Sequence, residues 1–238
     1  MFMSDGSYLG IKGGYIYINS QGDGIDSNGN IYMSGGTLII SGPTFEGDGA
    51  IDYNGDFHVD GGLLFAAGSS GMAQAPDNMT VNTLSISFDK MLNEGDFICI
   101  SGGGKEFVFQ VEKKTGNIVF SSPELKTGVE YTISYGGKYS GEVKDCVASG
   151  GKYSGGTELA TITLIEGLNT YGSVGIGGSM GGNRFGKDGE FGGMGGEGHG
   201  NPFGGGRGGM GGRPDGDLGG EPPMGGFGGQ QPPEPPQG

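Results

Sequence analysis

A repeat near the amino terminus constrains the fold of this chain more than any other feature. Residues 13–34 read GGYIYINSQGDGIDSNGNIYMS, and residues 35–60 read GGTLIISGPTFEGDGAIDYNGDFHVD. A third copy opens at 61 with GGLLFAAG and then departs. The full copies are 22 and 26 residues long, and the difference falls in one loop, GPTFEGDGA. Each holds two short alternating strands, Tyr15–Asn19 and Ile31–Ser34 in the first, Thr37–Ser41 and Phe57–Asp60 in the second. A turn-rich connector carrying Ile25 or Ile51 lies between them. Repeats of this length with several strands and no 3.6-residue period predict stacked coils of a parallel β-helix.

Alternation assigns the faces, because successive side chains of a strand point to opposite sides. Ile16, Leu38 and Leu64 are expected to stack inward, as are Ile18, Ile40 and Ala66; on the second strand Ile31 meets Phe57 and Met33 meets Val59. The glycine pairs fit tight corners that need positive φ or close backbone approach. Aligned on the first pair, Tyr8–Lys12 matches the second strand of a coil, with Leu9 and Ile11 inward. Nothing before it supplies that coil's first half, so the upper edge is raw. The expectation is a fragment lacking upstream coils, or a short solenoid capped by its tail or by a second copy.

Composition divides the chain. Of 60 glycines, 29 lie in residues 171–238 with 8 of the 11 prolines. The expected divisions are 1–74, β-helix coils; 75–167, a small antiparallel β-module closing the lower end; and 168–238, a Gly/Met/Pro-rich tail. Such a tail cannot bury enough apolar surface to offset its chain entropy, so disorder is expected. The fold class is all-β. In the middle segment the predicted strands are Thr83–Phe88, Phe97–Ser101, Phe107–Val111, Asn117–Phe120, Tyr131–Tyr135 and Leu159–Ile165. GGKYSG occurs at 136–141 and 150–155, which suggests a hairpin or two equivalent loops carrying Tyr139 and Tyr153.

Net charge is −14, and residues 1–74 hold eight acids against one base. No segment offers the basic footprint that phosphate backbones require, so nucleic acid is not an expected partner. No window reaches the roughly 18 apolar residues of a membrane span. Cys99 and Cys146 could form one bridge or be two small buried hydrophobes.

The strings GDGID-x-NG and AAGSSGMAQAP, in the order found here, resemble a family of secreted bacterial carbohydrate-binding proteins. The resemblance covers about residues 4–167 and implies a right-handed parallel β-helix like that of the pectate lyases, binding plant cell-wall polysaccharide and calcium. It implies an extracellular or cell-surface location, although this chain shows no export signal of its own, and it departs from the family in having fewer coils.

The connectors carry the chemistry. Asp23, Asp26, Asn28 and Asn30 recur as Asp48, Asp52, Asn54 and Asp56. Alternate oxygen side chains on one side of a turn suit calcium, which takes six to eight oxygens. An EF-hand is excluded, because its twelfth position would be Thr37 or Leu63. Stacking would set Asp26 above Asp52 and Asn28 above Asn54, pooling ligands from neighbouring turns. These residues could equally serve as turn formers, since Asp and Asn bond their own backbone; the resemblance favours calcium. Outward columns Tyr15–Thr37–Leu63 and Tyr17–Ile39–Phe65 offer either a stacking surface for polysaccharide or a face covered by the middle segment. Tyr32 points outward beside His58. Tyr15, Tyr17, Tyr32 and Phe65 are the candidate sugar contacts.

An enzyme is not expected. A lyase needs a Lys or Arg base, and residues 1–74 hold only Lys12, with no arginine before Arg184. A hydrolase would need carboxylates flanking a bond, but here they sit in repeated turns. His58 and His199 are the only histidines, so no nucleophile–histidine set is legible. Three readings remain: a non-catalytic carbohydrate-binding module, a structural or adhesion spacer that could self-associate through its open end or tail, and, least favoured, a polysaccharide-degrading enzyme.

Overall fold

The computed structural model describes residues 6–172 and 183–185. The chain divides into two units, Met1–Met194, which holds every described residue, and Gly195–Gly238. The described residues are all-β, with no helix, and their sheets are mixed. In the repeat region lie β1 (Tyr8–Ile11), β2 (Tyr15–Asn19), β3 (Ile25–Ser27), β4 (Asn30–Ser41), β5 (Ile51–Tyr53) and β6 (Phe57–Gly68). Then come β7 (Asn78–Met79), β8 (Thr83–Leu92), β9 (Phe97–Gly102), β10 (Lys105–Gln110), β11 (Thr115–Ser121) and β12 (Glu130–Tyr135). The remainder are β13 (Lys138–Tyr139), β14 (Glu142–Lys144), β15 (Val147–Ser149), β16 (Tyr153–Ser154), β17 (Thr157–Thr163), β18 (Leu168–Tyr171) and β19 (Asn183–Phe185).

The repeats stack in parallel and in register. β1 and β2 both pair with β4, and β4 pairs with β6, which aligns Ile16, Leu38 and Leu64 and then Ile18, Ile40 and Ala66. Ile31 aligns with Phe57 and Met33 with Val59, while Leu9 and Ile11 align with Ile31 and Met33. From Ile11, Ile31 and Leu38 onward these columns, with Ile25 and Ile51 from the connectors, form one buried core, against which Ile18 packs half-buried. Leu9 and Ile16, expected inward, are exposed, because β1 and β2 are the first strands of the stack and have no described strand above them. The glycine pairs do not end the strands: β4 and β6 each run through theirs, with a register irregularity at the corner. Gly14, Gly36 and Gly62 turn there at φ of 84°, 85° and 86°. At Gly36 the backbone of Gly13 and Gly14 approaches so closely that a Cβ would lie 2.7–2.9 Å from it.

The segment after 74 does two jobs. β7 pairs in parallel with the first half of β6, and β11 pairs antiparallel with the second half, closing the lower edge. β11 then pairs with β8, β8 with β18 and β18 with β19, extending the same sheet. A second sheet, ordered β14-β15-β10-β9-β12-β17, covers the outward face of the first. Between the two sheets lies the second core, with Ile39, Phe65, Ile86, Ile118, Phe109, Ile133 and Tyr131 buried in it. β8, β11 and β18 therefore belong with the repeats by pairing. Leu168–Tyr171, which the composition assigned to the tail, is a strand because it pairs in parallel with β8, and Asn169 within it is fully buried and bonds both the carbonyl and the N–H of Ile165. The rest of the expected tail, apart from 172 and 183–185, lies outside the described residues.

The two GGKYSG copies form a hairpin arm. β13 pairs with β16, setting Tyr139 opposite Tyr153, and β14 pairs with β15. Its tip is the two-residue turn Asp145–Cys146, both at positive φ (49° and 67°). Cys99 and Cys146 are buried free thiols.

Candidate functional site

On the short parallel pair β3–β5, Asp26 lies beside Asp52 in register, and Asp23 and Asp48 precede the two strands. Asp23 Oδ1 accepts the Gly49 N–H at 2.7 Å, tying one connector to the next. Burial raises the Asp52 carboxyl above its ordinary value, and the charges of Asp23, Asp26 and Asp48 push the same way. The neighbouring acids thus oppose the ionisation of Asp52, an effect that a bound cation would relieve.

The amide-bearing half of each connector behaves differently. Asn54 Nδ2 donates to Asn28 Oδ1 at 3.0 Å, the Asp56 N–H donates to Asn30 Oδ1 at 3.0 Å, and Asn30 Nδ2 donates to the Tyr32 hydroxyl at 2.8 Å. Asp56 stands 3.9 Å from His58 Nε2. Asn28, Asn30, Asn54 and Asp56 therefore make a ladder between repeats, with the oxygens of Asn28 and Asn30 already engaged. Among the described residues no three His, Cys, Asp or Glu side chains converge as a metal centre. Calcium at this corner would need oxygens from Asp23, Asp26, Asp48 and Asp52 and the rest of its shell from carbonyl oxygens and water.

The outward columns of the first strands meet different fates. Phe65 is fully buried and stacks on Phe109 at 4.0 Å with the rings 5° from parallel; Ile39 beside it is equally enclosed. Phe65 is therefore not available to a sugar: of the two readings of this column, the covered face holds at Phe65 and Ile39. Tyr17 packs against the same core, and its hydroxyl donates to Glu112. Burial and then that bond push its pKa up to about 12. Tyr15 stays 53% exposed, with its hydroxyl donating to Asp145 Oδ2 at 3.0 Å. Between Tyr15, Thr37 and Leu63 on one side and Lys144, Val147 and Ser149 of the hairpin arm on the other lies a cleft of about 370 Å³.

An exposed aromatic surface lies on the second strands. Tyr32 and His58 are in register on β4 and β6, stacked at 4.9 Å with planes 15° apart. Tyr8 meets Tyr32 edge-on at 6.1 Å. Gly10 holds the register position of Tyr32 one strand up, and the Tyr8 ring lies 3.6 Å from where its Cβ would be. Tyr8 is 72% and Tyr32 41% exposed. Sequence reasoning singled out Tyr32 and missed Tyr8. The signal was Gly10, the one position in that column with no side chain, beside a tyrosine two residues away.

Comparison of the chain with family models, with curated proteins and with solved structures found no match. No helix among the described residues is long and apolar enough to cross a membrane.

Proposed function

We propose that this chain is a non-catalytic carbohydrate-binding module, resembling the secreted bacterial polysaccharide-binding proteins, and that its stacked repeats are turns of a right-handed parallel β-helix. The parallel, in-register pairing of β1, β2, β4 and β6, with the separate β3–β5 pair, supports the helix. The observation that carries the function is the row Tyr8–Tyr32–His58. Its rings follow the stacking direction of the strands, with Asn30 and Asp56 beside them to grip hydroxyls. A row of exposed rings gives a flat glycan chain successive faces to stack on, and Tyr combines an apolar face with a polar tip. Calcium held at Asp23, Asp26, Asp48 and Asp52 would neutralise the corner and offer open coordination positions to sugar oxygens. The ligand is a plant cell-wall polysaccharide, pectin- or cellulose-like, met outside the cell.

Affinity electrophoresis of the Tyr8→Ala/Tyr32→Ala double variant in gels containing pectin or cellulose derivatives tests the row. Retardation of the wild type and its loss in the variant is expected, with unfolding midpoints alike. Equal retardation of both proteins would contradict the assignment and favour a spacer without sugar specificity.

A further inference from the structure

The cleft under the hairpin arm stands apart from the row of rings and from the acidic corner. Its floor is Tyr15, Thr37 and Leu63 of the first strands, and its opposite wall is Lys144, Val147 and Ser149 of β14 and β15. A volume of about 370 Å³ lies at the small end of ligand sites. Its chemistry is amphipathic: a half-exposed aromatic ring, two aliphatic side chains, two hydroxyls and one ammonium.

That ammonium is the informative group. The chain is strongly acidic, so an anionic ligand is repelled by most of its surface. Lys144 is exposed and forms no ion pair among the described residues, where the pairs present are His58–Asp56 and Lys105–Glu124. The nearest carboxylate in sequence, Asp145, accepts the Tyr15 hydroxyl at 3.0 Å and is not paired with Lys144 among the described residues. The same hydrogen bond fixes the Tyr15 ring, so a platform and a cation are set on opposite sides of one opening. The arm is fixed as well: the buried Cys146 accepts the Gln110 N–H on its carbonyl at 2.7 Å, anchoring the tip against β10.

We infer that this cleft is a subsite for a single carboxylate-bearing sugar unit, with Tyr15 stacking on the ring and Lys144 reading the charge. The inference rests on the carbohydrate-binding reading and deepens it, since it selects acidic over neutral glycan. Lys144 is the specificity determinant and the hydroxyls of Thr37 and Ser149 supply hydrogen bonds.

The test uses the full chain in calcium-containing buffer and two probes, trigalacturonic acid and its methyl ester, which has the same rings without the charges. The wild type should bind the acid about fivefold more tightly than the ester, a difference that shrinks as salt rises. Lys144→Gln should lose that preference while keeping its affinity for the ester, and Lys144→Arg should retain it. Thermal unfolding of the variants reports that they remain folded. A preference unchanged in Lys144→Gln, or a wild type that binds acid and ester equally, would overturn the cleft assignment and leave carbohydrate binding standing. A wild type that binds neither probe nor polymer would overturn both.

Discussion

The stacked repeats and the second sheet are both β-structure, yet they are specified in opposite ways. In the repeats each position is defined by the residue above and below it: Leu38 lies between Ile16 and Leu64, and Asn54 donates to Asn28 one repeat away. In the second sheet and the loop that leaves it the contacts with the repeats follow no period. Phe109 sits on Phe65, and Lys113 Nζ donates to the carbonyls of Ser20, Ser41 and Gly42 at the ends of β2 and β4. A repeat carries its partners in its own period, whereas a cover must be matched residue by residue to the surface it closes. The outward face of the repeats records the difference, apolar at Ile39 and Phe65 where covered and aromatic-polar at Tyr32 and His58 where open.

The largest effect that sharpens this contrast is at the covered face. Phe65→Ala should cost about 3–5 kcal/mol of stability, because a fully buried ring leaves a cavity between two sheets. Tyr32→Ala should cost about 1 kcal/mol or less, since its ring is partly in solvent and loses one stacked neighbour. Denaturant unfolding of the two variants measures both, and equal costs would break the distinction between covered and open faces.

A second comparison lies within the repeats. Gly14 and Gly36 have nearly the same φ, but nothing lies within 4 Å of a Cβ on Gly14, whereas Gly36 faces the backbone of Gly13 and Gly14. Gly14→Ala should cost about 1–2 kcal/mol from the left-handed conformation alone. Gly36→Ala should cost about 3 kcal/mol, adding the steric displacement. Similar losses would mean that the corners tolerate separation of the repeats.

The smallest effect is electrostatic. Asp52 has a raised folded-state pKa, so the folded chain holds its proton more tightly than the unfolded chain does. Stability from this group is therefore fullest at low pH and is lost as pH rises from 3.8 through the raised folded value. Asp52→Asn should remove that loss, making the calcium-free protein slightly more stable at neutral pH. Unfolding midpoints measured across the acid range check the sign; a wild type whose Asp52-dependent stability grows with pH would contradict it.

Much of this was legible in advance, and for a physical reason. Strand alternation and the glycine pairs set the register of the columns and the buried positions from Ile11 to Val59, because a period-two pattern repeated between fixed corners leaves one register. Leu9 and Ile16 share that register but are exposed at the edge. What covered the outward face was not legible, since alternation says which side a residue faces and nothing about a partner 44 residues later. That is why the column of Phe65, which belongs under Phe109, could be read either as a sugar-stacking surface or as a covered face. The same limit hid β18: Leu168–Tyr171 stands at the edge of glycine-rich sequence, and only its pairing with β8 makes it a strand. In the connectors, composition marked all eight Asp and Asn positions alike; hydrogen bonding separates the ladder of Asn28, Asn30, Asn54 and Asp56 from the acids of the corner.

Calorimetric titration of the full chain with soluble pectin and cellulose fragments, first with calcium and then with chelator, bears most directly on the proposed function. Binding that is present with calcium, vanishes with chelator and returns when calcium is restored is the expected result. A folded protein that binds neither fragment in either condition would contradict it, and the stacked repeats would then be a spacer.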